Sequence, residues 1–174
     1  MMQRNHETDT FWKEILWQQF GAAIDMLENA MHVCPDKLWG DRSREPEFWC
    51  LAYHALFWLD FYLSDSAKEF TPPAPFKLEE LDPAGVLPER VYTKQELQNY
   101  LEHGRKKCRE TIEALDDEKA RQRFQYGRIN LSFAELLLYN MRHIQHHAAQ
   151  LNLILRQTID SAPRWVARVQ RKHG

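Results

Sequence analysis

Cysteine is scarce in this chain. Its three copies, Cys34, Cys50 and Cys108, are odd in number, far apart and without a Cys-x-x-Cys pair. That spacing argues against a disulfide framework and suits a reducing compartment, so a cytoplasmic protein is expected. Glycine and proline are also modest, at 6 and 8 residues, which excludes a collagenous or low-complexity composition. No sign of charge dominates. With 23 Lys and Arg against 25 Asp and Glu, the net charge of −2 argues against nucleic acid as the main partner. The basic C-terminal run Arg164, Arg168, Arg171 and Lys172 is too short to change that. The longest apolar stretch, Phe48 to Leu63, is broken by His54 and Asp60 and is short for a membrane span. It reads as a buried helix, and no membrane association is expected. The opening MMQRNHETDT holds no apolar core of a secretory signal.

Several catalytic motifs are missing too. There is no His-Glu-x-x-His, which argues against a zincin-type protease, and no Glu-x-x-His pair of the ferritin-like di-iron bundles. Neither a glycine-rich phosphate loop nor a Gly-x-Ser-x-Gly elbow occurs. Cys50 lies in an apolar helix and reads as packing, and nothing near Cys34 or Cys108 would activate a thiol.

What is present is a set of long helical patterns. At 174 residues the chain fits one domain, 1–174, able to bury a full core. The first helix is predicted from about Asp9 to Met31, with Phe11, Ile15, Leu16, Phe20, Ala23, Leu27 and Met31 on one side. The second begins near Pro46 and ends near Ser64. The third opens on the capping box Thr93-Lys-Gln-Glu96 and runs to about Leu115. The fourth opens on a second box, Ser132-Phe-Ala-Glu135, and runs to about Gln157, with a weaker signal for a short helix from Arg164. No strand-like alternation competes. The proline-rich stretch from Asp65 to Tyr92 is far longer than a tight turn needs. A crossover along a bundle explains it and lets the second and third helices run in the same direction. The expected architecture is an all-α four-helix bundle with a long crossover between helices 2 and 3.

One stretch of the fourth helix breaks its own apolar pattern: Asn140-Met-Arg-His143-Ile-Gln-His146-His147-Ala-Ala-Gln150. Residues four apart on a helix project from one face, so His143 and His147 can reach one ion. On a wheel of about 100° per residue, Leu136 and Ile154 fall within about 20° of His143, while Arg142, Gln145, Asn152 and Arg156 lie on the far side. The pair therefore sits in mid-seam, with Asn140 and Gln150 a turn to either side. Buried polar groups need hydrogen bonds or coordination. One outcome is a hydrogen-bonded core network or a solvated groove; the other is a metal. A metal would need a third ligand from another helix, and His54, among Trp49, Leu51, Phe57, Trp58 and Phe61, is the candidate. Three imidazoles plus water is the composition of an open, catalytic type of site. His146, offset by about 60°, is assigned to the rim, either as a catalytic base or as a substitute ligand. Gln150 and Asn140, then Asp60, are the candidates for orienting the ligands. Trp58, Phe57 and Tyr139 are expected at the mouth.

The motif Leu51-Ala-Tyr-His54-Ala-Leu-Phe-Trp-Leu and the segment His143-Ile-Gln-His-His147-Ala-Ala-Gln150 resemble the DinB/YfiT-like superfamily of four-helix-bundle metalloproteins, over most of the chain. Ala149 stands where that family often has glycine, and His146 where an aromatic is common; neither change touches the three ligand positions. Leu87-Pro-Glu-Arg-Val-Tyr-Thr93 is also similar to a segment of such proteins. The resemblance implies a divalent metal, zinc or nickel with iron as a third option, on His54, His143 and His147, and often a homodimer. It implies small-molecule chemistry of the thiol S-transferase type, with a low-molecular-weight thiol such as bacillithiol or mycothiol as one substrate, or isomerisation with a related thiol. A metal-bound hydroxide at such a site would equally suit a hydrolase. The alternative is a non-catalytic metal-binding or stress-related interaction protein.

Overall fold

In the computed structural model of the protein, residues 10–170 are described, with the backbone of the first helix traced back to Met2. Arg171 and Lys172 of the basic run lie outside them. Six helices and one hairpin follow in order: α1 Met2–Val33, α2 Asp36–Trp39, α3 Phe48–Tyr62, α4 Lys94–Glu113, α5 Asp117–Arg121, β1 Arg123–Tyr126, β2 Ile129–Ser132 and α6 Phe133–Ile159. The bundle is built from α1, α3, α4 and α6, and the all-α expectation holds.

Both capping boxes form. The Thr93 hydroxyl accepts from the Glu96 N–H while the Glu96 carboxylate accepts from the Thr93 N–H, and Ser132 and Glu135 do the same at the head of α6. Each box satisfies two of the N–H groups that a helix start leaves unpaired.

Each long helix has two neighbours: α1 packs on α6 and α4, and α3 packs on α6 and α4. The pairings set the directions. Early in α3, Trp49 and Tyr53 meet Tyr92, just before α4, whereas Asp60 near the end of α3 meets Lys107 near the end of α4. The two helices are therefore parallel, which is what the crossover between them makes possible. Gly104 lets α4 come close to α3: a Cβ there would meet Leu59 Cδ2 at 2.8 Å. Against α6, the order inverts. His54 faces His143 and His147, and Tyr62 faces Tyr139, so α3 and α6 are antiparallel. Covered besides by Phe70 and Phe76 of the crossover and by Phe124 and Tyr126, α3 is buried on almost every face, which accounts for its nearly unbroken apolar sequence.

Two expectations need correction. The segment before α6 is a hairpin, with Phe124 opposite Leu131 and Tyr126 opposite Ile129. Gly127, at φ 54, supplies the left-handed residue of its turn. Four-residue strands are too short for their alternation to stand out in a sequence. The weak helix from Arg164 does not form. Residues 161–170 instead strap across α1, where Val169 N–H donates to Gln18 O (3.0 Å) and Gln170 N–H to Asp25 Oδ2 (2.6 Å). No helix among the described residues is long and apolar enough to cross a membrane.

Candidate metal centre

The antiparallel packing of α3 on α6 brings His54 to the pair spaced one turn apart on α6. One nitrogen from each of His54, His143 and His147 lies within 4.8 Å of the others, and no fourth His, Cys, Asp or Glu joins this group among the described residues. The ring centroids are 4.4 Å apart for His143 and His147, 4.7 Å for His54 and His147, and 5.3 Å for His54 and His143. His147 is buried, while His54 and His143 are partly exposed.

Hydrogen bonds decide which nitrogens face inward. His54 Nδ1 lies 2.7 Å from Glu80 Oε2, and an ionised carboxylate can only accept. In the neutral ring the proton is therefore on Nδ1, and Nε2 carries the lone pair. His147 Nδ1 lies 2.7 Å from Gln150 Oε1, which leaves the His147 Nε2 lone pair facing His143 Nε2 at 3.0 Å. His143 Nδ1 is buried without a hydrogen-bond partner. Metal–nitrogen bonds of about 2.0–2.1 Å would place neighbouring ligand nitrogens about 3 Å apart, the separation His143 and His147 already have. The donor set therefore fits a divalent cation.

The electrostatics point the same way. Burial, then the neighbouring His147, His54 and His146 rings, pushes His143 down to about 3. His147 is pushed down to about 4, mainly by burial and then by His54, with Gln150 opposing. Both rings are neutral at physiological pH and keep the lone pairs that ligation requires.

Other expected residues divide. Gln150 lies where expected and hydrogen-bonds a candidate ligand, at His147 Nδ1. Asn140 does not: it is fully buried and donates to Leu59 O at 3.0 Å, spending its amide on the end of α3. Asp60 is buried in a separate cluster against α4, where Lys107 Nζ lies 2.5 Å and Tyr100 OH 3.2 Å from its carboxylate. Phe57 is core, packed between Tyr53, Phe61 and Phe70, and does not line the mouth. Trp58 does flank the site, its ring 6.2 Å from that of His54. His146 is exposed, with its ring 5.1 Å from that of His147. A groove of about 600 Å³ on the outer face of α6 runs past His143 and is walled by Tyr139, Arg142, His146 and Trp165. A larger hollow between α1, α4 and the C-terminal strap contains none of the three histidines.

None of the cysteines is activated. Burial pushes the Cys34 thiol up to about 12 and Cys50 to about 11, and raises Cys108 as well.

The residue that sequence reasoning missed is Glu80. It sits in a 3-10 turn of the crossover, Glu79–Leu81, and its Oε2 also accepts from Trp58 Nε1 at 3.0 Å. A lone glutamate in an irregular, proline-rich segment carries no periodicity, so no local signal marked it.

The family model of the DinB superfamily matches residues 19–151, a span that takes in all three histidines. No curated protein and no solved structure matches the chain. The chain belongs to the DinB superfamily.

Proposed function

We propose, from membership of that family, that this protein is a divalent-metal protein with His54, His143 and His147 as its ligands, and that it acts as a metal-dependent enzyme on small molecules. The observation that carries the reading is the orientation of the cluster. Glu80 and Gln150 take the outer protons of His54 and His147, so lone pairs converge inward. A cluster built only for packing would have no need to turn them together.

Three protein ligands, with no fourth among the described residues, favour an open type of centre. When bound there, the metal supplies Lewis acidity and lowers the pKa of a thiol or water, so that a nucleophile forms at neutral pH. The chain's own residues do the rest. The α6 groove offers Arg142, Tyr139 and Trp165 beside His143 for holding an electrophilic small molecule. His146, on the wall of that groove and next to His147, is the candidate proton carrier. The reaction class that follows is thiol S-transfer or hydrolysis, with zinc or nickel as the first metals to test and iron next.

Metal analysis of protein purified without an affinity tag, followed by a panel of low-molecular-weight thiols with model electrophiles, tests the reading. About one divalent ion per chain is expected, lost on replacing any of the three histidines. His146→Asn should keep the metal and lose turnover. If native protein carries no stoichiometric metal, and replacing all three histidines alters neither uptake nor stability, the reading fails. A metallated protein inert across the panel would instead favour a binding role.

A further inference from the structure

The side chain of Glu80 is only 14% exposed, and its sole ion pair among the described residues is with His54. A carboxylate held this far from water is costly unless positive charge compensates it. No lysine or arginine among the described residues does so. The nearest chemistry is instead the outer nitrogen of an imidazole whose inner nitrogen faces two more imidazoles.

From this we infer that Glu80 is a positioning residue for the metal centre, acting through His54, and that the crossover is thereby tied to metal occupancy. The inference rests on the metal reading above. Glu80 does two things at once. By accepting from Nδ1 it selects the tautomer in which Nε2 is free to ligate. By placing negative charge behind the ring it makes that nitrogen more basic. A cation on the inner side returns the favour, because it polarises the Nδ1–H group and strengthens its bond to Glu80. The segment that carries Glu80 has further anchors on the bundle. Tyr53 OH donates to Lys77 O at 3.2 Å, and Phe76 stacks on Tyr100 with centroids 4.3 Å apart. Those anchors hold the crossover in place whether or not the site is filled; the Glu80 bond is the one that responds to the ion. By linkage, metal binding tightens the crossover around residues 79–81, and a crossover held in place favours binding to the same extent.

The test combines zinc affinity, by competition with a chromophoric chelator, with the His54 tautomer, by 15N NMR of metal-free protein. It uses wild type, Glu80→Gln and Glu80→Ala. Wild-type His54 is expected as the Nδ1–H tautomer. Glu80→Ala should shift it towards Nε2–H and weaken zinc binding by about 10–100-fold. Glu80→Gln, whose amide oxygen can accept the same proton, should keep the tautomer and lose less affinity. A purely structural Glu80 would leave the tautomer unmoved. Glu80→Ala binding zinc within about twofold of wild type, against the loss expected for such a partner, overturns the inference, as does an unchanged tautomer. Should Glu80→Ala not fold, a wild-type His54 in the Nε2–H form overturns it as well. If wild type binds no zinc, the metal reading falls, and the tautomer measurement still judges Glu80.

Discussion

Helix α3 carries a polar cluster on each of two faces, one buried and one partly open, and they are finished to different degrees. Towards α4, Asp60 is 1% exposed, and every charge around it has an answer: Lys107 Nζ at 2.5 Å, Tyr100 OH at 3.2 Å and His103 Nε2 at 3.4 Å. Burial and the Asp60 carboxylate together keep the Tyr100 hydroxyl protonated. Towards α6, His54 and His147 turn Nε2 inward, His147 Nε2 lies 3.0 Å from His143 Nε2, and His143 Nδ1 has no protein partner. The first cluster is electrically complete with protein groups alone. The second lacks any lysine or arginine partner among the described residues and has the largely buried carboxylate of Glu80 behind it, an arrangement that fits a cation. Buried polar residues in a bundle are therefore not equivalent signs of function. The informative ones are those the protein leaves unneutralised.

The largest expected effect tests the complete cluster. Lys107→Met leaves the Asp60 carboxylate buried without its cation and should cost about 3 kcal/mol in urea unfolding, with or without chelator. A loss that depended on metal would break the distinction between the two clusters. Next, saturating zinc at about 100 times Kd should stabilise wild type by about 2.7 kcal/mol and the His143→Leu variant by almost nothing. Calorimetric melting temperatures across a metal titration would show it. Ser132→Ala, in the capping box of α6 and outside both clusters, should cost about 1 kcal/mol whether metal is present or not. Smallest of all, His143→Leu in chelated protein should stay within about 1 kcal/mol of wild type, because it gives up one hydrogen bond, to His147 Nε2, and removes a buried Nδ1 that has no partner. A loss there as large as that of Lys107→Met would mean that the histidines, too, form a self-sufficient network.

Much of the fold was legible locally. The capping boxes at Thr93 and Ser132 mark helix starts to the residue, since their chemistry lies within four consecutive side chains. The i,i+4 spacing of His143 and His147 put two rings on one face before any packing was known. The hairpin of Arg123–Ser132 leaves no local signature because each strand is four residues long. Asn140 and Gln150 lie on the same arc of α6, yet only Gln150 hydrogen-bonds one of the three histidines, while Asn140 binds the backbone of α3. Which polar group a neighbouring helix needs is not written in the helix that supplies it.

By itself, the sequence determined the helices, their caps, the long crossover and the three imidazoles that a bundle could bring together, because periodicity and capping act over a few residues of chain. The tertiary structure alone decided that α3 and α4 run parallel and that Asp60 belongs to Lys107. It alone also set Glu80 behind His54. Those outcomes depend on residues 26 to 47 positions apart meeting through packing, and no short-range pattern encodes which partner lies across an interface.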